Sequence, residues 1–267
     1  MHFSVTSVMK AFAPGSVTAV FAPTESGDES RGASMAIEDG LVADVRAADR
    51  TDVVLDGERT EFEPVENLLD ELGVTARVEL DADVPIGCGF GASGAATLAT
   101  ALSANERYEL GRSHDELVQL SHLAEVEAGT GLGDVFIQSA GGLLMDDGRG
   151  KRRWEPADIV EYVSYGGMST SEALGDDELM SRVQTVGRRI LTSFPENPSL
   201  ERVTRDAWAF ARELELPTSR VRDTVLEVEA EGGTASMAML GETVFAVGID
   251  GVLPNSTQIS HEGAHLL

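Results

Sequence analysis

The sequence runs Pro85-Ile86-Gly87-Cys88-Gly89-Phe90-Gly91-Ala92-Ser93-Gly94-Ala95 between a predicted strand and a predicted amphipathic helix. The three alternate glycines permit unusual backbone angles and let main-chain N–H groups approach a ligand. Because the next helix offers free N–H groups and the positive end of its dipole, the unit is suited to binding oxygen anions. A phosphate is the expected ligand, and a plain strand-to-helix connection is the structural alternative.

Two other phosphate-binding patterns can be compared with this stretch. A P-loop places a lysine next to Ser or Thr after its final glycine, and the stretch has none. The dinucleotide pattern G-x-G-x-x-G/A is formally matched by Gly87, Gly89 and Ala92, with Glu106 or Glu109 near the position of its ribose-binding acid. That pattern normally lies in a parallel βαβ unit, whereas here a second helix follows the first. A nicotinamide-dependent oxidoreductase is therefore kept only as an alternative.

The composition is that of a strongly acidic protein with a sizeable core. The 267 residues are 42% hydrophobic, enough for two modest domains. The 46 acidic and 20 basic residues give a net charge of −26, which opposes nucleic-acid binding. Lys10 and Lys151 are the only lysines, and the acids are spread along the chain. This pattern suggests a halophilic protein in a cytosol of high salt, and an ordinary acidic protein is the alternative.

Other sequence features exclude several classes of protein. No apolar run approaches the roughly 20 residues of a membrane span, and the amino terminus lacks a signal-peptide apolar region, so we expect a cytoplasmic protein without a membrane partner. The single cysteine, Cys88, excludes an internal disulfide and is expected to be a packing residue. The segment His261–His265 fits the zincin pattern H-E-x-x-H, but its internal glycine and the lack of a third ligand favour a carboxy-terminal strand or tail.

Predicted strands precede the phosphate-binding stretch, and predicted helices follow it. The strands lie at 11–13 and 17–21 around a Pro14-Gly15 turn, and at 40–45, 51–55 and 76–80. The helices begin near Ser93, at a Ser113–Glu116 capping box and near Asp134. Further along, strands are predicted at 159–165, 237–240 and 244–249, and helices at 177–192 and 199–214. Segregated strands and helices predict an α+β fold, with domains at 1–155 and 156–267.

Three motifs, in this order, resemble those of the GHMP kinases, which include galactokinase, homoserine kinase and mevalonate kinase. They are Ala13-Pro14-Gly15 before an apolar strand, Pro-x-x-x-Gly-x-Gly-x-Ser at 85–93, and Glu231–Ser236 before a strand. The resemblance implies a β-rich amino-terminal domain with a phosphate-loop helix and a ferredoxin-like carboxy-terminal domain. It also implies that ATP binds on the loop, through Pro85, Gly87, Gly89, Gly91, Ala92, Ser93 and Gly94.

The same resemblance implies the catalytic and metal-binding residues. A turn similar to Gly129–Asp134 presents a catalytic aspartate at a helix start in mevalonate-kinase-like members, which implies that Asp134 meets the hydroxyl to be phosphorylated. A simple helix cap is the structural alternative for this residue. A Mg²⁺ ion is implied on Ser93 and an upstream glutamate, for which Glu125 is favoured over Glu127.

Further segments resemble the archaeal pantoate kinases, including those of the haloarchaeal type. These segments are Ala13–Thr18, Ser30–Gly32, Glu125–Val135 and Ala235–Gly241. Mevalonate kinase has a lysine directly after Ala-Pro-Gly where this chain has Ser16, a departure that argues against mevalonate as substrate. The resemblance implies ATP-dependent phosphorylation of pantoate to 4-phosphopantoate, a step of archaeal coenzyme A biosynthesis.

The substrate itself predicts one more residue. Pantoate carries a carboxylate, so its site needs a cation, and Arg31 beside Gly32 is the expected one, with Ser16 as a second substrate contact. An exposed arginine balancing Asp28 and Glu29 is the structural alternative. Another GHMP kinase with a homoserine-like or mevalonate-like substrate, and a catalytically silent member of the fold, stay open. The sequence also leaves open whether the chain forms a homodimer.

Overall fold

A computed structural model describes residues 9–267, and the first eight residues of the predicted amino-terminal domain lie outside that range. The strands are β1 (Lys10–Pro23), β2 (Ser30–Ala47), β3 (Asp52–Leu55), β4 (Glu58–Thr60), β5 (Ala76–Ala82), β6 (Leu143–Asp146), β7 (Lys151–Trp154), β8 (Ile159–Gly167), β9 (Thr234–Met237), β10 (Gly241–Val247), β11 (Asn255–Gln258) and β12 (His265–Leu266). The helices are α1 (Glu63–Leu72), α2 (Ala92–Arg107), α3 (His114–Ala128), α4 (Asp134–Ala140), α5 (Thr170–Leu174), α6 (Asp177–Ser193), α7 (Leu200–Glu213) and α8 (Ser219–Ala230).

The first sheet is built around the long antiparallel pair of β1 and β2. Its order is β12-β1-β2-β5-β3-β4, and β6 pairs with the first half of β2 and with β7. Among the described strands of this sheet, only β3 and β5 run parallel. Helix α2 packs on β1 and β2 through a face of alanines and leucines that is almost wholly buried. Small side chains bring this helix close to the sheet, which fixes the phosphate-binding stretch at its amino terminus.

The second sheet is antiparallel, in the order β11-β8-β10-β9, and carries α7 and α8. Helix α7 also packs on β1, so it joins the two sheets, and α6 packs against both β1 and α7. The chain then returns to the first sheet, because β12 pairs with β1 at Ala11 and Phe12. This segregation of strands and helices is the α+β arrangement that the sequence predicts. The domain boundary near 155 stays a prediction.

The Pro14-Gly15 turn predicted from the sequence is wrong. β1 continues through both residues, and its register against β2 shifts between Pro14, opposite Gly40, and Gly15, opposite Ile37. A bulge of this kind accommodates a proline, which has no N–H to give to the ladder. A side chain at Gly15 would lie 2.8 Å from the Asp39 carbonyl oxygen, so this close approach of the strands needs glycine.

Other elements differ from the prediction or were not predicted at all. β2 extends to Ser30, and residues 238–240 form the turn between β9 and β10 instead of a strand. Helices α1, α5 and α8 and the β6–β7 hairpin had no predicted counterpart. Residues 261–265 contain no helix, so the two histidines of H-E-x-x-H do not share a helix face. No helix in residues 9–267 is long and apolar enough to cross a membrane.

The predicted helix ends are confirmed where the sequence carries capping signals. The Ser113 side chain accepts a hydrogen bond from the Glu116 N–H, and the Glu116 carboxylate accepts one from the Ser113 N–H. Gly129 ends α3 in the left-handed conformation. Helix α4 begins at Asp134 and ends before Gly141. The end of α3 before Gly129 and the start of α4 at Asp134 leave only residues 129–133 to connect the two helices.

Candidate active site

A cavity of about 340 Å³ lies where the phosphate-binding stretch, the start of α4 and strands β1 and β2 meet. Residues 87–93 form one wall and residues 130–137 form another. The turn before β10 contributes Met239 and Leu240, and helix α5 contributes Thr170 and Leu174. The cavity is therefore lined by both halves of the chain.

The glycines of residues 87–91 have the backbone angles that the sequence predicts. Gly87, Gly89 and Gly91 have φ values of 73°, 88° and 59°, in the left-handed region that favours glycine. A side chain at Gly89 would lie 3.1 Å from the Met239 carbonyl oxygen, so the loop is packed against the turn before β10. Helix α2 begins at Ala92, and its free N–H groups and positive dipole end adjoin the cavity.

Asp134 lies at the first residue of α4 and lines the cavity. Its Oδ1 accepts hydrogen bonds from Thr18 Oγ1 at 3.1 Å and from Ser16 Oγ at 3.3 Å. The side chain keeps some exposure to the cavity, but the surrounding protein desolvates it, which raises its pKa. The hydroxyls of Thr18 and Ser16 oppose that rise because they stabilise the ionised form.

Glu125, near the end of α3, is a buried carboxylate surrounded by hydroxyls. Its Oε1 accepts hydrogen bonds from Ser93 and Thr97, both at 2.8 Å, and its Oε2 accepts one from Thr130 at 2.9 Å. No basic side chain within residues 9–267 forms an ion pair with it. Burial raises its pKa to about 7, the three hydroxyls oppose the rise, and the charge of Asp134 adds to it. Glu127, the alternative metal ligand, is exposed.

The oxygen atoms around Glu125 suit a hard divalent cation. A side chain at Gly131 would lie 3.1 Å from Glu125 Oε2 and 3.9 Å from Asp134 Oδ2, so both carboxylates border the same small glycine-lined space. Mg²⁺ usually takes one or two protein carboxylates and completes its shell with water and phosphate oxygens. No cluster of three or more His, Cys, Asp or Glu side chains occurs in the described part of the chain. Ser93 and Glu125 thus fit Mg²⁺ bound together with a nucleotide, and do not form an all-protein metal cage.

Two cations line the cavity and have no carboxylate partner among residues 9–267. Arg31 on β2 is exposed, packs beside Gly148 and forms neither a hydrogen bond nor an ion pair within that range. Lys151 on β7 lies 4.3 Å from the centre of the Phe136 ring. Its neighbours Arg149, Arg152 and Arg153, by contrast, bind carboxylates and backbone carbonyls. An anionic group in the cavity could therefore pair with either cation.

The comparisons with known proteins agree with this geometry. The family described as GHMP kinases N terminal domain matches residues 62–142, which contain the glycine loop, Glu125 and Asp134. A pantoate kinase of Methanospirillum hungatei is 30% identical, over 89% of this chain and 86% of that protein. The chain belongs to the GHMP kinase family. A pantoate kinase of Methanocaldococcus jannaschii is 26% identical, over 88% of this chain and 91% of that protein.

Solved structures support the same fold for this GHMP kinase. A protein described as a phosphotransferase related to the CoA biosynthesis pathway has a TM-score of 0.82 and 26% identity, over 97% of this chain and 98% of that one. A mevalonate kinase has a TM-score of 0.66 at 15% identity, over 95% and 99% of the two chains, and shows the fold alone. The predicted two-domain GHMP kinase fold and the predicted class of enzyme, a small-molecule kinase, are confirmed.

The cavity of the GHMP kinase brings together most of the site residues predicted from the sequence. Gly87, Gly89, Gly91, Ala92, Ser93, Arg31 and Asp134 line it, and Glu125 lies directly behind Ser93. Pro85 and Gly94 do not line the cavity, and Ser16 is buried behind Asp134. Their proposed contacts with ligands stay predictions.

Several residues of the site were not found from the sequence. Thr18, Thr97 and Thr130 donate hydrogen bonds to the two carboxylates, and Gln138 donates to the Gly91 carbonyl oxygen and to Ser16. Gln138 follows Asp134 by four residues, so both lie on one face of α4. That spacing was the available signal for Gln138, whereas the hydroxyls carry no pattern of their own.

Proposed function

We propose that this GHMP kinase transfers the γ-phosphate of ATP to the primary hydroxyl of pantoate and forms 4-phosphopantoate. The observation that carries the proposal is one cavity that joins a left-handed glycine loop, an aspartate and two cations without a carboxylate partner in residues 9–267. The loop suits a polyphosphate, the aspartate suits a hydroxyl, and the cations suit a second anionic group.

Asp134 is the proposed catalytic carboxylate. Both hydroxyl donors bind its Oδ1, so Oδ2 is free to accept a hydrogen bond from the substrate hydroxyl. Phosphoryl transfer passes through a loose transition state, in which positioning and charge stabilisation matter most. Asp134 orients the attacking oxygen and accepts its proton late in the transfer. The N–H groups of residues 87–93 and the start of α2 hold the phosphate oxygens of ATP.

We infer that Ser93 and Glu125 bind Mg²⁺ when the nucleotide is present. A bound Mg²⁺ neutralises charge that develops on the phosphate oxygens. Within the described residues, the buried Glu125 carboxylate has hydroxyl partners and no basic partner, an environment that suits a bound cation. Glu127 is exposed and serves as a natural control.

The substrate end of the cavity has the chemistry that pantoate requires. Pantoate has a carboxylate, a primary hydroxyl and two methyl groups between them, so its site needs a cation, a base and an apolar wall. Arg31 and Lys151 supply positive charge, and Leu132, Phe136 and Leu144 supply apolar surface. The two pantoate kinase relatives and the phosphotransferase associated with CoA biosynthesis support this substrate and a role in that pathway.

The deciding experiment is a screen for ADP release in high salt with pantoate, homoserine and mevalonate as acceptors. Pantoate should give a rate well above the other two, and the phosphorylated product should be 4-phosphopantoate by mass spectrometry and NMR. An Asp134→Asn preparation provides the blank for contaminating ATPase. Turnover of homoserine or mevalonate without turnover of pantoate would remove the proposed substrate.

A thermal-shift measurement separates the kinase from the nicotinamide alternative. ATP with magnesium should raise the melting temperature, because a ligand that binds only the folded state stabilises it. NAD should not. Stabilisation by NAD alone would contradict the assignment of the loop to ATP.

A further inference from the structure

The buried amide of Gln138 links the glycine loop to Asp134 through the hydroxyl of Ser16. Gln138 has no measurable exposure. Its Nε2 lies 2.7 Å from the Gly91 carbonyl oxygen and 3.3 Å from Ser16 Oγ. Because a backbone carbonyl can only accept a hydrogen bond, the nitrogen of the amide must face Gly91. This orientation leaves the second N–H of the same nitrogen for Ser16.

The amide orientation fixes the direction of each hydrogen bond in the series from Gln138 through Ser16 to Asp134. Ser16 Oγ accepts from Gln138, so its single proton is available for Asp134 Oδ1 at 3.3 Å. A second series of hydrogen bonds, from Ser34 through Thr18, ends on the same oxygen. Thr18 donates to Asp134 Oδ1 at 3.1 Å, so the 3.0 Å contact between Thr18 and Ser34 must run from Ser34 to Thr18. Both series of hydrogen bonds converge on Oδ1, and no donor among residues 9–267 binds Oδ2.

We propose that Gln138 is a positioning residue that holds the Ser16 proton on Asp134 and ties the glycine loop to helix α4. This role rests on the proposed function, because it assumes that Asp134 meets the acceptor hydroxyl. A neutral chain of hydrogen bonds through the Gln138 amide and the Ser16 hydroxyl thus orients the proposed catalytic carboxylate.

The proposal predicts separate effects on acid–base behaviour and on nucleotide binding. The Ser16 hydrogen bond opposes the burial that raises the pKa of Asp134. Loss of that bond should therefore raise the pKa of Asp134 further and move the acid limb of kcat/KM to higher pH. Loss of the Gly91 contact should instead loosen the glycine loop and raise KM for ATP.

Five other charged groups adjoin Asp134 or line the same cavity, on four further elements and one loop, and are unchanged in the variants. They are Glu125 on α3, Arg31 on β2, Asp146 on β6, Lys151 on β7 and Glu29 in the loop before β2. A shift that appears in Ser16 and Gln138 variants therefore reports on the hydrogen-bond chain and not on altered charge.

The test is a double-mutant cycle with Ser16→Ala, Gln138→Met and the double variant, assayed with pantoate and ATP from about pH 5 to 9. Each single variant should shift the acid limb upward, and Gln138→Met should add no further shift in the Ser16→Ala background. Gln138→Met should also raise KM for ATP severalfold, whereas Ser16→Ala should not. Gln119→Met, an exposed Gln-to-Met change on α3, is the matched control and should change neither quantity.

Two results would overturn the proposal while leaving the kinase itself in place. The first is a Gln138→Met variant in which neither the acid limb of kcat/KM nor the KM for ATP changes. The second is a double variant in which the shift of the acid limb equals the sum of the shifts in the two single variants. If Gln138→Met does not fold, Gln138→Asn, whose shorter amide cannot span both partners, is judged by the same two criteria. A native enzyme that releases no ADP with pantoate would count against the proposed function instead.

Discussion

At the scale of single residues, Asp134 is the side chain on which turnover should depend most. Asp134→Asn keeps an oxygen that can accept from Ser16 and Thr18, so the fold and nucleotide binding should be preserved. Loss of the carboxylate should lower kcat at least about a hundredfold, the usual effect of a positioned acid–base group. Steady-state kinetics and a melting curve check this. Normal turnover in the variant would exclude Asp134 from the mechanism.

Glu125 should make the unliganded protein less stable as the pH rises from about 5 to 8. Its pKa of about 7 in the folded state lies above that of an ordinary glutamate, so the folded state binds more protons in this range. Unfolding releases those protons, and stability therefore falls as pH rises through this interval. Melting temperatures at pH 5.5 and 8 should show the decline in the native protein and a smaller decline in Glu125→Gln.

The same variant tests the proposed magnesium site. Glu125→Gln should raise the magnesium concentration needed for half-maximal activity at least about tenfold, the lower range for losing a charged contact. Glu127→Gln removes an exposed carboxylate two residues along the same helix and should have little effect on either measurement. Equal magnesium dependence in both variants would show that Glu125 has only a structural role.

Arg31→Ala should affect pantoate far more than ATP. Loss of a charged hydrogen bond of about 1.5–3 kcal/mol corresponds to a rise in the KM for pantoate of roughly 10- to 150-fold. The control is Arg188→Ala, which removes one exposed positive charge from α6 and leaves the cavity intact. Unchanged pantoate kinetics in Arg31→Ala would shift the carboxylate-binding role to Lys151, the other unpaired cation of the cavity.

At the scale of helices and strands, the sequence predicts an element well where one local interaction decides its boundary. The Ser113–Glu116 capping box and the left-handed Gly129 specify the ends of α3 with neighbouring residues alone. The sequence of α1 also indicates a helix, because its apolar residues have helical spacing and Gly73 follows them. These apolar residues are Val65, Leu68, Leu69 and Leu72.

The features that could not be predicted depend on contacts between distant segments. Pro14-Gly15 resembles a turn locally, and only its pairing with β2 makes it a bulge within a strand. The motif residues of the site could be found because glycine loops and an aspartate at a helix start have recognisable patterns. Thr18 could not be assigned to Asp134, which lies 116 residues away, without the packing of β1 against α4.

The cap of α3 should contribute to stability without contributing to catalysis. Ser113→Ala removes one side of the reciprocal capping box and should destabilise the protein by about 1 kcal/mol. Because Ser113 lies at the opposite end of α3 from Glu125, kcat should stay near the native value. Ser181 is exposed and lies within α6, away from its ends. Ser181→Ala is the control and should not lower the melting temperature. A large loss of kcat in Ser113→Ala would mean that the cap also positions Glu125.

At the scale of the whole molecule, stability should depend strongly on salt. The net charge of −26 leaves most carboxylates without a basic partner, and the observed ion pairs lie mainly at the surface. Raising ionic strength from 0.1 M to 1 M shortens the Debye length from about 10 Å to about 3 Å and so weakens the repulsion. We therefore infer that the protein is adapted to high salt. Melting temperature and activity should both rise towards molar KCl.

The pH at which the salt series is measured distinguishes charge screening from a general effect of salt on hydrophobic burial. The isoelectric point of the protein is about 4.4, so its net negative charge is much smaller near pH 5 than near pH 8. Less repulsion is therefore left for salt to screen at pH 5. The rise in melting temperature between 0.1 M and 2 M KCl should therefore be clearly smaller at pH 5 than at pH 8. An equal rise at both pH values would point to hydrophobic strengthening by salt, which does not depend on net charge. Full activity after prolonged dialysis into low salt would contradict the proposed adaptation altogether.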